Sequence, residues 1–217
     1  MILIVWTKIC GVQSLSIARQ LARLNPEAIG LNRFPGSSRY LSLSVAKRLA
    51  CQIRETNPDI EVVTVYVNPP RQLLDRDYRA IRPDIIQLHG EETVEYLAGL
   101  SDFPARIIKA FRVKKSFESD QLDGYNCWAY LFDAHKSGEY GGTGHLAPWE
   151  QVAKLTTTHR VILAGGLTPE NIAAALRRVD PWGVDICSGV ETGGKKDLKK
   201  LQGFLQKINL YSSGEKK

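Results

Sequence analysis

An alternation of two hydrophobic periods, repeated eight times, constrains this chain more than any single motif. Short, nearly continuous apolar runs at 2–9, 28–31, 61–67, 84–88, 105–111, 128–133, 160–164 and 183–187 are each followed by a polar turn. A stretch of helical period then follows each of these runs, over 14–24, 42–55, the segment opened by Asn68-Pro69-Pro70, 91–100, 116–122, 148–155, 169–178 and 196–208. Runs such as EVVTVYV at 61–67 read as parallel strands buried on both faces. Asn25-Pro26 and Asn57-Pro58 stop helices, and either Ser42 or Ser44, and Thr168, stand where helix N-caps are expected. Eight such units of about 27 residues each predict an α/β protein, a single-domain (β/α)8 TIM barrel rather than an open doubly wound sheet. The expected domain is 1–210, with 211–217 as a flexible basic tail.

Composition narrows the function classes. A chain of 217 residues buries a sizeable core without disulfides or metal. Cys10, Cys51, Cys127 and Cys187 are far apart and form no C-x-x-C, which points to a reduced, cytoplasmic setting and excludes a zinc knuckle. The apolar N-terminus is too short for a membrane span and reads as a first strand. The net charge of +6 collects at the C-terminus, where seven lysines from 195 to 217 face only Asp197 and Glu215. A solvated helix face explains that excess better than a nucleic-acid groove does, so the expected partner is a small molecule, with neither nucleic acid nor membrane.

In this barrel chemistry belongs at the C-terminal ends of the strands. Those ends deliver Cys10, Arg39, Asn68, Gln87 and His89, Lys109 and Arg112, Asp133, Gly165-Gly166, and Asp185 with Ser188-Gly189. Asp133 closes the aromatic run Trp128-Ala129-Tyr130-Leu131-Phe132 and precedes a loop containing Gly138 and Gly141-Gly142-Thr143-Gly144. The paired glycines after strands seven and eight suit an anion site built from backbone N–H groups, with tight turns as the plainer reading. Cys10 is by composition a core residue; Gly11 directly after it permits a sharp turn that leaves the thiol at the rim. Asp133 stands across the strand ring from it, first against sixth, as a candidate acid/base partner. Arg39 suits a carboxylate, Lys109 a Schiff base, and His135, His145 and His159 show no metal-ligand spacing.

Seven motifs in order then carry a resemblance. Lys8-Ile9-Cys10-Gly11, Ser38-Arg39-Tyr40, Gln87-Leu88-His89-Gly90, Leu131-Phe132-Asp133-Ala134, Tyr140-Gly141-Gly142-Thr143-Gly144, Leu163-Ala164-Gly165-Gly166-Leu167 and Ser188-Gly189-Val190-Glu191 span nearly the whole chain. Together they resemble the phosphoribosylanthranilate isomerase family of tryptophan biosynthesis. The resemblance implies an Amadori rearrangement without cofactor or metal. It implies Asp133 as general acid on the furanose ring oxygen and Cys10 as general base at C2. It also implies Arg39 on the anthranilate carboxylate, and Gly165, Gly166, Ser188 and Gly189 on the phosphate. His89 and Asp185 follow as further substrate-binding residues, and the assembly as monomer or homodimer. The chain departs from the family at Gln13, at Pro148-Trp149 and in the less apolar loop Leu31-Asn32-Arg33-Phe34-Pro35.

The implied roles carry a physical demand. With pKa values near 8.5 and 3.9, roughly 3% of the thiol would be thiolate at pH 7 and about 0.1% of the carboxyl protonated, a joint population on the order of 10⁻⁵. The site must therefore raise the pKa of Asp133 and lower that of Cys10. Two rivals stand beside this reading: a sugar-phosphate aldolase using Lys109, and a non-catalytic barrel binding an acidic partner through its basic C-terminal face.

Overall fold

The structure is a computed structural model in which the residues described are 5–113, 117, 119–133 and 149–214. Eight strands close into a barrel in chain order, which is the (β/α)8 architecture expected from the sequence. They are β1 (Trp6–Cys10), β2 (Ala28–Asn32), β3 (Glu61–Tyr66), β4 (Ile85–Leu88), β5 (Arg106–Arg112), β6 (Ala129–Asp133), β7 (Val161–Ala164) and β8 (Gly183–Ile186). Among the described residues no helix is long and apolar enough to cross a membrane. The chain divides into two compact units. One comprises Trp6–Lys109 with Tyr125–Trp128; the other comprises Ala110–Gly124 and Ala129–Lys217 with Met1–Val5.

In the first unit β1 to β4 and the start of β5 pair in parallel, with Cys10 beside Gly30, Asn32 beside Val65 and Leu88 beside Lys109. Parallel register brings the C-terminal ends of these strands to one edge. Helices α1 (Leu15–Arg23), α2 (Leu43–Thr56), α3 (Arg71–Ile81) and α4 (Val94–Ala98) return the chain between them. Ser14, Ser42 and Thr93 start three of them by accepting the amides of Ile17, Val45 and Tyr96. Each helix buries one stripe, as in Ala18, Leu21 and Ala22 on α1. Tyr66, Leu74, Leu88, Leu97 and Phe103 pack into one cluster. At the N-terminal ends of the strands Glu61 receives Trp6 Nε1 at 3.0 Å and Arg106 at 2.5 Å, while Arg106 lies 4.4 Å over the Trp128 ring. In a barrel of this kind that face serves stability.

In the second unit β6, β7 and β8 pair in parallel, with Asp133 beside Ala164 and Leu163 beside Val184. Its helices are α5 (Trp149–Ala153), α6 (Ile172–Val179) and α7 (Leu198–Ser212). Phe111 stacks on Phe132 at 5.9 Å and on Tyr130 at 6.3 Å, and Phe117 meets Phe132 edge-on at 5.6 Å. These rings back the strand that ends in Asp133.

The structure differs locally from the sequence reading in four places. Of the helix expected at 116–122, residues 116 and 118 lie outside the described residues, and Ser119–Leu122 form a 3-10 turn. The helix expected from Pro169 begins at Ile172, because the Asn171 side chain bridges Thr168 N and Gly166 O at 2.8 Å each and holds the preceding residues in a loop. A 3-10 turn (Ser188–Val190) and a hairpin of β9 (Glu191–Thr192) and β10 (Lys195–Lys196) follow β8, turning at Gly193 and Gly194 with φ of 57° and 74°. Finally, α7 runs through Ser212, two residues beyond 210, and Tyr211 donates to Leu176 O at 3.2 Å.

Glu27, at the start of β2, accepts Thr7 N at 2.8 Å. Burial, with a smaller push from Glu61, raises the Glu27 carboxyl above its ordinary range against the pull of the backbone donors. A carboxyl whose pKa rises on folding costs stability where it is ionised, and that cost disappears below its unfolded pKa. Glu27→Gln is therefore expected to exceed the wild type in stability at neutral pH, with the advantage closing as pH falls through the carboxylate range. Urea unfolding of both proteins across that range checks the sign.

Candidate active site

Cys10 is the last residue of β1 and is buried. Gly11 N and Val12 N both donate to Gly30 O, at 2.9 and 3.3 Å, so the chain turns immediately after the thiol. Gly30 stands beside Cys10 in the sheet, and a Cβ there would lie 2.9 Å from Cys10 Sγ and 3.1 Å from Lys8 Cε. The absent side chain is the space these two neighbours occupy.

Arg39, half-buried, rides the loop between β2 and α2. Its amide donates to Ser37 Oγ at 3.1 Å, and Gln13 Nε2 donates to Ser38 O at 3.2 Å, tying the first loop to the second. The base of the loop is closed by Leu41 N to Asn32 O at 2.9 Å and by Arg33, whose guanidinium reaches Leu41 O and, at 2.8 Å, Asp77 Oδ2. Asp77 also accepts Tyr66 OH at 3.2 Å, and burial pushes that hydroxyl well above its ordinary pKa. Sequence reasoning saw Arg33 only as an unusually polar loop residue. The available signal was Asp77 itself, an acid between Leu74 and Ile81 on the buried stripe of α3.

His89 follows β4. Its amide donates to Tyr66 O at 2.8 Å and its Nδ1 lies 3.0 Å from Gln87 Nε2. Lys109 is not an amine presented to a substrate carbonyl: it is buried, donating to Glu92 Oε2 at 2.8 Å and to Gly90 O at 2.7 Å. That geometry removes the structural support for a Schiff-base role.

In the second unit, Asp133 ends β6 half-buried, its carbonyl accepting Val113 N at 3.1 Å. Ala134, Gly138, the Tyr140–Gly144 motif, His135 and His145 lie outside the described residues. Asp185 is buried near the end of β8. Gly165 and Gly166 have φ of 84° and 64°, a consecutive pair in the left-handed region that side-chain-bearing residues rarely enter. The expected opening of the helix toward an anion is corrected here, because Thr168 N is taken by Asn171 Oδ1 and Glu170 N by Thr168 Oγ1. The amides of Gly166, Leu167 and Gly189 have no hydrogen-bond partner among the described residues and are the donors the two loops offer. The loops converge closely. A Cβ on Gly189 would fall inside the contact distance of Leu167 O and 2.9 Å from its carbonyl carbon. Beneath them Lys196 Nζ holds Cys187 O and Glu191 Oε1, each at 2.8 Å. Such an arrangement of backbone donors can receive an oxyanion.

The comparisons with known proteins agree in one direction. A family profile described as PRAI, N-(5'phosphoribosyl)anthranilate (PRA) isomerase, matches residues 7–207. N-(5'-phosphoribosyl)anthranilate isomerase of Syntrophomonas wolfei is 39% identical over 199 residues, which are 91% of this chain and 94% of that protein. The crystal structure of phosphoribosyl anthranilate isomerase from Thermotoga maritima superposes with a TM-score of 0.83 at 32% identity, covering 94% of this chain and 98% of that one. A phosphoribosyl anthranilate isomerase crystallised with reduced 1-(o-carboxyphenylamino)-1-deoxyribulose 5-phosphate superposes with a TM-score of 0.81 at 29% identity, covering 94% and 98%.

Gly189→Ala must force the loops after β7 and β8 apart. Hydrogen bonds to a charged acceptor contribute about 1.5–3 kcal/mol each, so losing one or two is expected to weaken binding of a phosphate ester ~10-fold or more. Gly203→Ala, whose Cβ would meet nothing within 4 Å, is the control expected to leave binding unchanged. Calorimetric titration of both variants reads the difference.

Proposed function

The chain belongs to the N-(5'-phosphoribosyl)anthranilate isomerase family, and on that premise we propose how its residues divide the work. The reaction is the Amadori rearrangement of N-(5'-phosphoribosyl)anthranilate to 1-(2-carboxyphenylamino)-1-deoxyribulose 5-phosphate, a step of tryptophan biosynthesis. Asp133 is the general acid. Its carboxyl gives a proton to the furanose ring oxygen, the C1–O bond breaks, and the anthranilate nitrogen completes a protonated Schiff base to C1. Cys10 is the general base: its thiolate takes the C2 proton, the electron pair moves into a C1–C2 double bond, and the resulting enolamine tautomerises to the C2 ketone.

The remaining residues hold the substrate. The amides of Gly166, Leu167 and Gly189 carry the phosphate, with Gly165 and Ser188 shaping their loops. Arg39 pairs with the anthranilate carboxylate, and His89 and Asp185 bind within the site. The observation that carries this reading is positional. Each proposed acid/base residue is the terminal residue of a barrel strand, and in the second unit the two strands that follow β6 in chain order, β7 and β8, end in loops with donors for an anion. Further support comes from the family member crystallised with reduced 1-(o-carboxyphenylamino)-1-deoxyribulose 5-phosphate, whose phosphate and carboxylate are the two anions these groups suit. A cytoplasmic setting fits the reading, since Cys10 must remain a thiol and the four cysteines are free.

The test is turnover of freshly generated phosphoribosylanthranilate, followed by loss of its fluorescence. Cys10→Ala and Asp133→Ala are each expected to fall by roughly 10² or more in kcat while still binding the reduced product. The wild-type kcat is expected to follow a bell-shaped pH profile, and Cys10→Ala and Asp133→Asn each to lose one limb. Two variants with near-normal kcat would reverse the assignment.

A further inference from the structure

We propose that Lys109 and Glu92 are positioning residues for substrate binding, acting through His89. Lys109 is a candidate from the sequence whose Schiff-base chemistry the isomerase reaction does not use, and its surroundings give it a different task. Both partners of the Lys109–Glu92 pair are buried, with side-chain exposures of 3% and 1%. Between them they grip both peptide groups of the residue that follows His89: Glu92 accepts Gly90 N at 3.1 and 3.0 Å, and Lys109 donates to Gly90 O at 2.7 Å.

The grip extends to a neighbouring strand. Glu92 Oε1 accepts Asn68 N at 2.8 Å, and Asn68 Oδ1 accepts Glu91 N at 2.7 Å, lacing the loop after β4 to the end of β3. Asn68 has a φ of 46°, and a Cβ on Gly90 would sit 2.8 Å from its amide, so the two chain segments have one close-packed arrangement. Tyr125 OH adds a bond to Glu92 O at 3.1 Å. His89 is thereby held from both sides, its own amide on Tyr66 O and the next residue between the two charges. A ligand made by such a ring is effective only if its backbone is fixed to within a fraction of an ångström.

This inference rests on the reading of His89 as a substrate ligand, and the experiment separates the two. Steady-state kinetics and melting curves are compared for His89→Ala, Lys109→Met, the pair Lys109→Met with Glu92→Gln, and each of these on the His89→Ala background. The Lys109 single variant leaves a buried carboxylate beside Gly90; the paired variant removes both charges and keeps the test available if the single variant fails to fold. The expected result is a KM raised about 10-fold with kcat within about 3-fold in either Lys109 variant, and no further increase in KM when His89 is already Ala. Additive effects on the two backgrounds, or unchanged KM, would overturn the positioning role while leaving His89 as a ligand. A kcat loss of about 10³ at unchanged KM would make Lys109 catalytic instead. If His89→Ala alone leaves KM unchanged, the ligand reading fails first and the positioning role falls with it.

Discussion

Three of the substrate-facing loops proposed for this enzyme are tied back by an ion pair with both partners buried. Arg33–Asp77 closes the base of the loop carrying Arg39, Lys109–Glu92 grips the residue after His89, and Lys196–Glu191 underlies Ser188-Gly189. Desolvating two charges consumes most of their attraction, so such pairs add little stability over an apolar replacement, yet losing one partner costs about 3–5 kcal/mol. Their effect is geometric. Arg33, Asp77, Lys109, Glu92 and Lys196 each also bond a backbone group or a further side chain, and the charge makes each of those bonds hard to exchange for water. Loops are ordinarily the mobile part of a barrel; here the bases of three are pinned by buried, hydrogen-bonded charges.

The glycines complete the same economy of space. Gly30 leaves room beside the Cys10 thiol, and Gly189 lets one loop lie against the Leu167 peptide of another. Both are positions where the missing side chain matters more than the backbone angle. The consecutive left-handed glycines at 165 and 166 are the opposite case, where the turn itself requires them. Aromatic packing of Phe111, Phe117, Tyr130 and Phe132 gives β6 a stiff back, which suits a strand that must present a carboxyl at its tip.

Much of this was legible in the residue order. The strand ends at Leu88 and Ala164, the cap at Ser42 as one of two serines offered, and the positions of the glycine pairs follow from local period and turn chemistry. The reading failed where a side chain bonded the backbone in a way that competes with helix. Asn171 delays α6 by bridging Gly166 and Thr168, and so withdraws from the anion site an amide that a simple N-cap at Thr168 would have offered. The hairpin after β8 was passed over because two-residue strands carry too little periodicity to register.

The sequence by itself determined the eightfold alternation, the barrel, the family and the residue types delivered at each strand's C-terminal end, because all of these depend on spacing along the chain. Only the tertiary structure decided what the charged residues do. Lys109 could be a nucleophile on spacing alone, and Arg33 and Asp77, 44 positions apart, show no relation in the linear chain. Whether a charge faces substrate or a buried partner depends on which distant segment lies opposite it, and a local pattern carries no information about that.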